Sequence, residues 1–436
     1  SQSSTVSIAV NAVDPLNNTV VKKFIGGFTI SPLATSVTIA KENFTLTTAG
    51  DYQFRFSATD LSTVVSREIT IKNAAAAKLI LTRDVPSTIS SGLTFSPALR
   101  LQVQDIYDNP VLDSVTTVSA TLISGTLQSI SGATASNALG SSYIDFPNLN
   151  LAGTAGLKQL RLTAANTGTP INGTSIDTAQ FSLASGTAYA LSVSATVATV
   201  ANRATLSDIA VSVVDATGNV VPDSTAQITA SVSGITLSGT AIRFASGGEV
   251  TFSGLILSGA AGTYDLGFSA NGLVAATISV TVAHGEASYL TLTTSATAKN
   301  AQALASQPVV KIFDIDGNLV TTGAQSTQTV ELSVTPSSLT GTTAISASGG
   351  IATFSGVAIE GSTGSKTVTA RLYSPVTMSD IAIVELGVGV ATKLTLETEG
   401  LGAVNGVALA TQPVLKLRDS SNNLVTGVAH NVVASI

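Results

Sequence analysis

The amino-acid sequence predicts an all-β chain of tandem β-sandwich domains in an elongated array, and three observations lead to this prediction. Three short motifs recur in the same order at intervals of about 100 residues. Apolar and polar residues alternate ahead of the turn motif, which is the period of a β-strand. No stretch keeps the 3.6-residue apolar period of a helix, and Gly and β-branched residues occur throughout.

The first motif has the form Asp-x-x-x-Asn-x-Val and occurs five times, starting at Asp14, Asp105, Asp215, Asp314 and Asp419. An aspartate that ends a strand can accept hydrogen bonds from backbone N–H groups two residues later, which forms an Asx-turn. The Gly-Asn and Asn-Asn pairs in the turns tolerate positive φ, so the chain can reverse, and the Val starts the returning strand. We therefore predict a strand, a tight turn and a second strand at each copy. The spacing of the copies is the length of one immunoglobulin-like domain.

Two further motifs keep the same phase. The first opens a unit with a leucine-containing strand, at Leu79, Leu191, Leu290 and Leu394. The second comes late in the unit, runs Phe…Leu…Leu…Gly-x-x-Gly with Val and Ile as variants, and starts at Phe146, Phe252 and Phe354. Its apolar residues are expected to fill the core between two sheets.

A tyrosine follows the last glycine of the late motif by two residues in two copies, at Tyr52 and Tyr264. This placement resembles a tyrosine corner, in which the ring packs inside and the hydroxyl bonds back to the backbone. The other two copies have Lys158 and Lys366 instead, so the resemblance is partial.

The motifs divide the chain into five predicted repeats: 1–73, 74–184, 185–283, 284–386 and 387–436. The first repeat lacks the opening strand, and the last stops soon after its turn, so both are expected to be partial. Short linkers at residues 184–187 and 283–286 are expected to limit bending between neighbouring repeats. No charged-then-apolar leader begins the sequence, so the chain is expected to be mature or a segment of something longer.

Composition excludes several classes of function. Charged residues make up 11% of the chain and the net charge is −6, so no basic stripe is present for nucleic acid. Cysteine is absent, which rules out disulfides and thiolate metal sites. The mean hydropathy is +0.42, yet no run of about 18 apolar residues predicts a membrane span. A cysteine-free chain rich in Thr, Ser, Ala and Gly is typical of bacterial or archaeal surface proteins.

The repeats resemble the bacterial immunoglobulin-like (Big, invasin/intimin-type) repeats of surface proteins. The resemblance is carried by the Asp-x-x-Gly-Asn-x-Val turns at Asp215 and Asp314 and by the Thr-Phe-Ser-Gly segments 251–254 and 353–356. It covers essentially the whole chain and implies architecture more strongly than any partner. Proteins built in this way include adhesin stalks and surface-layer (S-layer) subunits.

The candidate metal site is Asp314-x-Asp316-x-Asn318, which has the alternating oxygen spacing that calcium uses. A turn held only by hydrogen bonds explains the same residues, and no glutamate follows where an EF-hand loop needs one. Calcium is the only cofactor that the sequence suggests. Candidate glycosylation sites are the sequons at Asn17, Asn43 and Asn172.

Catalysis finds no support in the sequence, so we expect that the protein is not an enzyme. Its two histidines, His284 and His430, fall in predicted linkers or loops, and no phosphate-binding loop is present. The leading hypothesis is an extracellular subunit of a self-assembling surface layer or sheath. The alternative is the stalk of a large adhesin whose ligand-binding tip lies outside this chain. Expected partners are copies of the chain itself in a lattice or fibre, and cell-envelope glycans or host and neighbouring surfaces.

Overall fold

The computed structural model describes residues 6–40, 42, 44–166, 169–195, 199–373 and 377–435, apart from the side chains of residues 25–27. The fold is all-β and consists of tandem β-sandwich domains, as the sequence predicts. A short 3-10 helix, Ala324–Thr327, interrupts the strands. Among the described residues, no helix is long and apolar enough to cross a membrane.

The first repeat forms one five-stranded sheet in order β2–β1–β3–β4, with β5 beside β3. Its strands are β1 (Val6–Val13), β2 (Val20–Ile30), β3 (Gly50–Ser57), β4 (Val64–Val65) and β5 (Ile69–Ile71). The rings of Phe24, Phe44 and Phe54 pack together, with centroids 5.0–5.8 Å apart. Its strand pairing differs from that of the three repeats that follow.

Those three repeats share one basic topology: a three-stranded sheet, a larger sheet of five or six strands and a two-stranded ribbon. The second repeat contains β6 (Ala76–Arg83), β7 (Thr88–Ser90), β8 (Leu99–Asp105), β9 (Thr117–Ser124), β10 (Ser129–Ser131), β11 (Thr134–Ser136), β12 (Tyr143–Phe146), β13 (Asn150–Ala152), β14 (Gly156–Ala164), β15 (Ser175–Asp177) and β16 (Phe181–Ala184). Its sheets run β6–β8–β12 and β7–β16–β14–β9–β11, with the ribbon β10–β13 and with β15 beside β14.

Within the described residues, the third and fourth repeats reproduce this arrangement except for a counterpart of β15, so their larger sheets have five strands. The third contains β17 (Ala190–Val193), β18 (Thr199–Ala201), β19 (Ile209–Val214), β20 (Gln227–Ser231), β21 (Thr236–Ser238), β22 (Ile242–Phe244), β23 (Glu249–Phe252), β24 (Ile256–Ser258), β25 (Gly262–Ser269) and β26 (Ala276–Ala283). The fourth contains β27 (Ala287–Thr293), β28 (Thr297–Lys299), β29 (Val309–Asp314), β30 (Thr329–Thr335), β31 (Ser338–Thr340), β32 (Ala344–Ser346), β33 (Ile351–Thr353), β34 (Ala358–Glu360), β35 (Gly364–Leu372) and β36 (Met378–Gly387). The last repeat has the hairpin β37 (Lys393–Thr398) and β38 (Val414–Arg418).

The core residues predicted from the late motif are confirmed. Phe146, Phe252 and Phe354 are at most 1% exposed, and so are the two apolar residues that follow each of them in the motif. Burial of a Phe or Leu side chain contributes about 1.5–3 kcal/mol to folding, so the three motif residues of each repeat together contribute several kcal/mol to its stability.

The hydrogen bond of the predicted tyrosine corner is confirmed at both tyrosines. The Tyr52 hydroxyl donates to the Thr48 carbonyl oxygen at 3.0 Å, and the Tyr264 hydroxyl donates to the Ala260 carbonyl oxygen at 2.8 Å. The Tyr52 side chain is buried, whereas that of Tyr264 is half-buried.

An early strand and the last strand of each complete repeat lie side by side and parallel. The pairs are β7 with β16, β18 with β26 and β28 with β36. Because the two strands are parallel, their C-terminal ends lie side by side. The linker to the next repeat therefore begins beside the end of the early strand.

Contacts divide the chain into two compact units. The first unit comprises residues 1–190, 213–224 and 246–248, and the second comprises 191–212, 225–245 and 249–436. The division cuts through the third repeat, because the turn that starts at Asp215 packs on residues of the second repeat. Each unit is described by itself below.

Candidate functional site at the joints between repeats

The Asp motif, which occurs five times, places side chains where one repeat meets the preceding repeat. These contact regions are termed joints. Four joints are formed, by the turns at Asp105, Asp215, Asp314 and Asp419. All contacts of the first two joints lie within the first unit, and all contacts of the last two lie within the second unit.

One carboxylate oxygen of each motif aspartate closes its own turn. Asp215 Oδ1 accepts hydrogen bonds from the Thr217 and Asn219 backbone N–H groups at 2.8 and 2.9 Å. The same two bonds form at Asp105, Asp314 and Asp419. The predicted Asx-turn is thereby confirmed at these four copies, and also at Asp14, where the Leu16 N–H donates at 2.8 Å.

The other carboxylate oxygen holds the linker that enters the repeat. Asp215 Oδ2 accepts a hydrogen bond from the Gly186 N–H at 2.7 Å. The equivalent donors are Ala74 for Asp105 at 2.8 Å, Gly285 for Asp314 at 2.8 Å and Gly389 for Asp419 at 2.9 Å. A single aspartate therefore ties its turn to the linker about 30 residues earlier.

The motif asparagine contacts the preceding repeat. The Asn219 amide donates to the Gly153 carbonyl oxygen at 2.8 Å and accepts from the Ala155 N–H at 2.8 Å. The same pair of bonds joins Asn109 to Thr47 and Ala49, Asn318 to Gly259 and Ala261, and Asn423 to Gly361 and Thr363. Each asparagine amide also donates to its aspartate at 2.8–2.9 Å. The backbone segment of the preceding repeat that bonds to the motif Asn, such as residues 153–155, is termed the corner. The arrangement of motif Asp, motif Asn, linker N–H and corner is termed the clamp.

The first copy of the motif forms no clamp within the described residues. Its Asn18 amide oxygen contacts Arg55 at 3.4 Å, and the Asp14 N–H bonds to Thr19 rather than to Asn18. The motif alone therefore specifies the Asx-turn, and the clamp also needs a preceding corner.

Glycine in three of the four linkers permits a close backbone approach. A Cβ atom on Gly186 would lie 2.4 Å from the Ser91 carbonyl oxygen, and one on Gly389 would lie 2.4 Å from the Asn300 carbonyl oxygen. On Gly285 it would lie 2.9 Å from the Asn202 carbonyl oxygen. Since side chains do not tolerate such distances, the linkers of these three joints can approach the preceding repeat this closely only as glycine.

Burial and hydrogen bonding act in opposite directions on the pKa of these aspartates. Asp105, Asp215, Asp314 and Asp419 are at most 4% exposed. Burial raises the pKa of Asp215, but the hydrogen bonds from Gly186, Asn219 and Thr217 outweigh it and lower the pKa to about 2. For the same reason, the pKa values of the other three are below the ordinary value.

The joint at Asp314 adds a charged layer to the clamp. Arg203 donates to both oxygens of Asp316 at 2.7 Å, and the Asn202 amide donates to Asp316 and Asp314 at 2.7 and 2.9 Å. The hydrogen bonds of Arg203 first, and then of Asn202, lower the pKa of Asp316 to about 2 against a smaller effect of burial. Arg203 adopts a φ of 66°, which is uncommon for a residue with a long side chain.

The three candidate calcium ligands, Asp314, Asp316 and Asn318, lie together at this joint. Their carboxylate oxygens all accept hydrogen bonds from protein donors, and Asn318 Oδ1 accepts from the Ala261 N–H at 2.6 Å. Among the described residues, no group of three His, Cys, Asp or Glu side chains could hold a metal ion. Calcium binding here stays a prediction, and it would require Arg203 to release Asp316.

The other candidate residues lie away from the clamps or beside one of them. Asn17 and Asn172 are exposed, so both sequons are accessible, whereas Asn43 lies outside the described residues. His284 is in the linker at the third joint. Its Nδ1 lies 2.9 Å from the Gly285 carbonyl oxygen, and its Nε2 lies 2.8 Å from the Thr322 hydroxyl. His430 follows the last strand and is exposed.

Sequence reasoning missed two sets of joint residues, although a signal for both was present. The linker glycines Gly186, Gly285 and Gly389 recur in phase with the Asp motif, and so do Asn202 and Asn300. These asparagine amides accept from the corner N–H groups of Gly259 and Gly361 at 3.0 and 2.9 Å. The regular recurrence of Asn202 and Asn300 did not by itself reveal that their side chains contact the turn of the following repeat.

Comparison with known proteins gives weak structural similarities. The sequence matches no protein-family model and no curated protein. The Escherichia coli adhesin FdeC is 17% identical, with 73% of this chain and 99% of that chain covered and a TM-score of 0.29. Cadherin domains 1–4 of protocadherin gamma B7 are 13% identical, with 77% and 83% covered and a TM-score of 0.34. Domains EC1–4 of PcdhgB3 are 14% identical, with 87% and 92% covered and a TM-score of 0.29. At these values, the similarities assign no function.

Proposed function

We propose that this chain is a structural protein of a bacterial or archaeal cell surface, located outside the cell and without enzymatic activity. Its specific role in this proposal is that of a subunit of a self-assembling surface layer or sheath. The observation that carries the proposal is the clamp, which recurs four times with the same donors and acceptors. A linker bonded at its own backbone to a buried aspartate leaves little freedom between the two repeats that it connects.

Strand pairing within each complete repeat supports a structural role. Tension along the chain enters a repeat near its early strand and leaves from its last strand. Because these strands are parallel and hydrogen-bonded, as at β7 and β16, their separation requires the bonds between them to break together. Such a repeat is suited to a coat or a fibre that is pulled.

The second candidate is the stalk of a large adhesin with a ligand-binding tip outside this chain. The same resistance to tension favours it. Under either candidate, the partners are copies of the chain itself in a lattice or fibre, with envelope glycans or host and neighbouring surfaces as further contacts. Nucleic acid is not among the proposed partners, since the net charge of the chain is −6.

Electron microscopy of cell envelopes, with an antibody against this chain as label, tests the proposal. A regular lattice that carries the label supports the surface layer and contradicts the stalk. Isolated labelled fibres support the stalk and contradict the lattice. Label confined to the cell interior contradicts both. A polysaccharide-degradation assay on the intact parent protein tests the proposed absence of enzymatic activity.

A further inference from the structure

The four clamps are chemically alike, so they do not distinguish the turn of one repeat from the turn of another. Each uses one Asp, one Asn, a linker N–H and the backbone of a corner. A turn of this kind fits any such corner, including a corner on another copy of the chain. Discrimination therefore has to come from joint residues that differ from one joint to the next.

The differing residues are paired across the joint. In the last three joints, the second residue after the motif Asp bonds to a side chain of the preceding repeat. In the second joint, the Thr217 and Ser91 hydroxyls are 3.2 Å apart. In the third, the Asn202 amide donates to Asp316 at 2.7 Å. In the fourth, the Ser421 hydroxyl donates to the Asn300 amide oxygen at 3.0 Å.

We propose that these matched pairs make the joints selective: the corner with Asn202 and Arg203 accepts the turn that carries Asp316, whereas the corner with Ser91 accepts a hydroxyl and not a carboxylate. The inference does not depend on whether the chain forms a coat or a stalk. It assigns Ser91 with Thr217, and Asn202 and Arg203 with Asp316, as the residues that determine specificity.

The second joint rejects a carboxylate at position 217. The Thr217 hydroxyl lies 3.1 Å from the Gly153 carbonyl oxygen and 2.8 Å from Asp215 Oδ1. An aspartate there would place its oxygens against two acceptors without a proton to donate. The third joint accepts Asp316 beside Asp314 only because the Asn202 amide donates to both and Arg203 neutralises one charge.

The third joint in turn favours a carboxylate over a hydroxyl at position 316. A threonine there would leave the Arg203 guanidinium without its carboxylate. The equivalent of Arg203 is Gly92 in the second joint and Ala301 in the fourth, and all three have positive φ, from 61° to 81°. The backbone is therefore the same, and the side chain alone distinguishes the joints.

Exchanging the pairs within the full-length chain tests the proposal. Thr217→Asp is compared with the triple variant Ser91→Asn, Gly92→Arg, Thr217→Asp, which carries the residues of the third joint. Hydrogen exchange is measured at the Gly186 and Gly285 amides, which report on the second and third joints. We expect Thr217→Asp to speed exchange at Gly186 by about tenfold and the triple variant to recover most of that loss.

The Gly285 amide in the same molecules is the internal control, and its exchange should not change. Unaltered exchange at Gly186 in Thr217→Asp would overturn the proposal, and so would a triple variant that is no better than the single one. If Thr217→Asp prevents folding, the reciprocal exchange decides. Asp316→Thr should then speed exchange at Gly285, and the added changes Asn202→Ser and Arg203→Gly should restore it. Failure of that restoration also overturns the proposal.

Discussion

The joints at Asp215 and Asp314 have the same clamp but differ in what surrounds it. At Asp215 the side chains added to the clamp are the hydroxyls of Ser91 and Thr217 and the amide of Gln128, which donates to the Thr217 carbonyl oxygen. At Asp314 the clamp is joined to an ion pair whose Arg203 side chain is 53% exposed and whose Asp316 side chain is 18% exposed. The joint at Asp215 is therefore held by hydrogen bonds of the clamp and its neighbours, and the joint at Asp314 by such hydrogen bonds and a partly exposed ion pair.

This difference separates the contribution of buried hydrogen bonds to a joint from the contribution of an exposed ion pair. Buried donors that lose their acceptor cost the full desolvation of the group, whereas exposed ion pairs contribute little and are screened by salt. We therefore expect the clamp to determine the stability of both joints. The charged layer should mainly determine which turn is accepted and how the joint responds to salt.

Removal of the clamp aspartate should have the largest effect. Asp215→Ala leaves the Gly186, Thr217 and Asn219 N–H groups without their acceptor in a buried place. The expected loss of unfolding free energy is about 3 kcal/mol or more. Urea unfolding of the full chain, together with hydrogen exchange at Gly186, measures it. Asp223→Ala, at an exposed aspartate of the same repeat, is the matched control and should change neither quantity.

Substitution of the linker glycines should come next. In Gly186→Ala the new Cβ meets the Ser91 oxygen at 2.4 Å, and in Gly285→Ala it meets the Asn202 oxygen at 2.9 Å. We expect losses of about 1–3 kcal/mol, with the larger loss at Gly186, measured by thermal unfolding. Gly267→Ala, where the nearest atom is 3.7 Å away, is the control. An equal or larger loss at Gly267 would contradict the close-approach explanation.

Acid should weaken both joints over a defined pH range. The folded pKa of Asp215 is about 2, below the unfolded value of about 3.9. A depressed pKa stabilises the folded form above the unfolded pKa, so this contribution of about 2–3 kcal/mol is present above pH ~4 and lost as the pH falls toward ~2. Unfolding temperatures measured from pH 6 to pH 2 should show it. Asp215→Asn should flatten part of that slope, and an identical slope would show that this carboxyl is not responsible.

Loss of the charged layer should have the smallest effect and the strongest salt dependence. Arg203→Ala removes the ion pair with Asp316 and leaves the clamp intact, and alanine already occupies the equivalent position at Ala301. Exchange at Gly285 should become faster at about 0.05 M NaCl and approach that of the unmodified chain at about 0.5 M. Exchange at Gly186 should show no such dependence. Equal salt sensitivity at both amides would contradict the comparison.

Much of the local structure could be predicted from sequence patterns. The Asx-turns were predictable because Asp Oδ1 bonds to N–H groups only two and four residues later. The core phenylalanines were predictable because they occupy the same position of the late motif in three successive repeats. The function of the candidate metal residues was harder to predict, since the spacing of Asp314, Asp316 and Asn318 fits both a cation and a hydrogen-bonded turn.

The sequence by itself determined the all-β fold, the phase of the repeats, the turns and the core, since each depends on residues that are close along the chain or regularly repeated. Only the tertiary structure decided that Asn219 bonds to Gly153, 66 residues earlier, and that Arg203 bonds to Asp316, 113 residues later. Such partners are brought together by the packing of one repeat against the next. The physical reason is that a buried donor must find an acceptor, and which one it finds depends on the corner that packing places beside it.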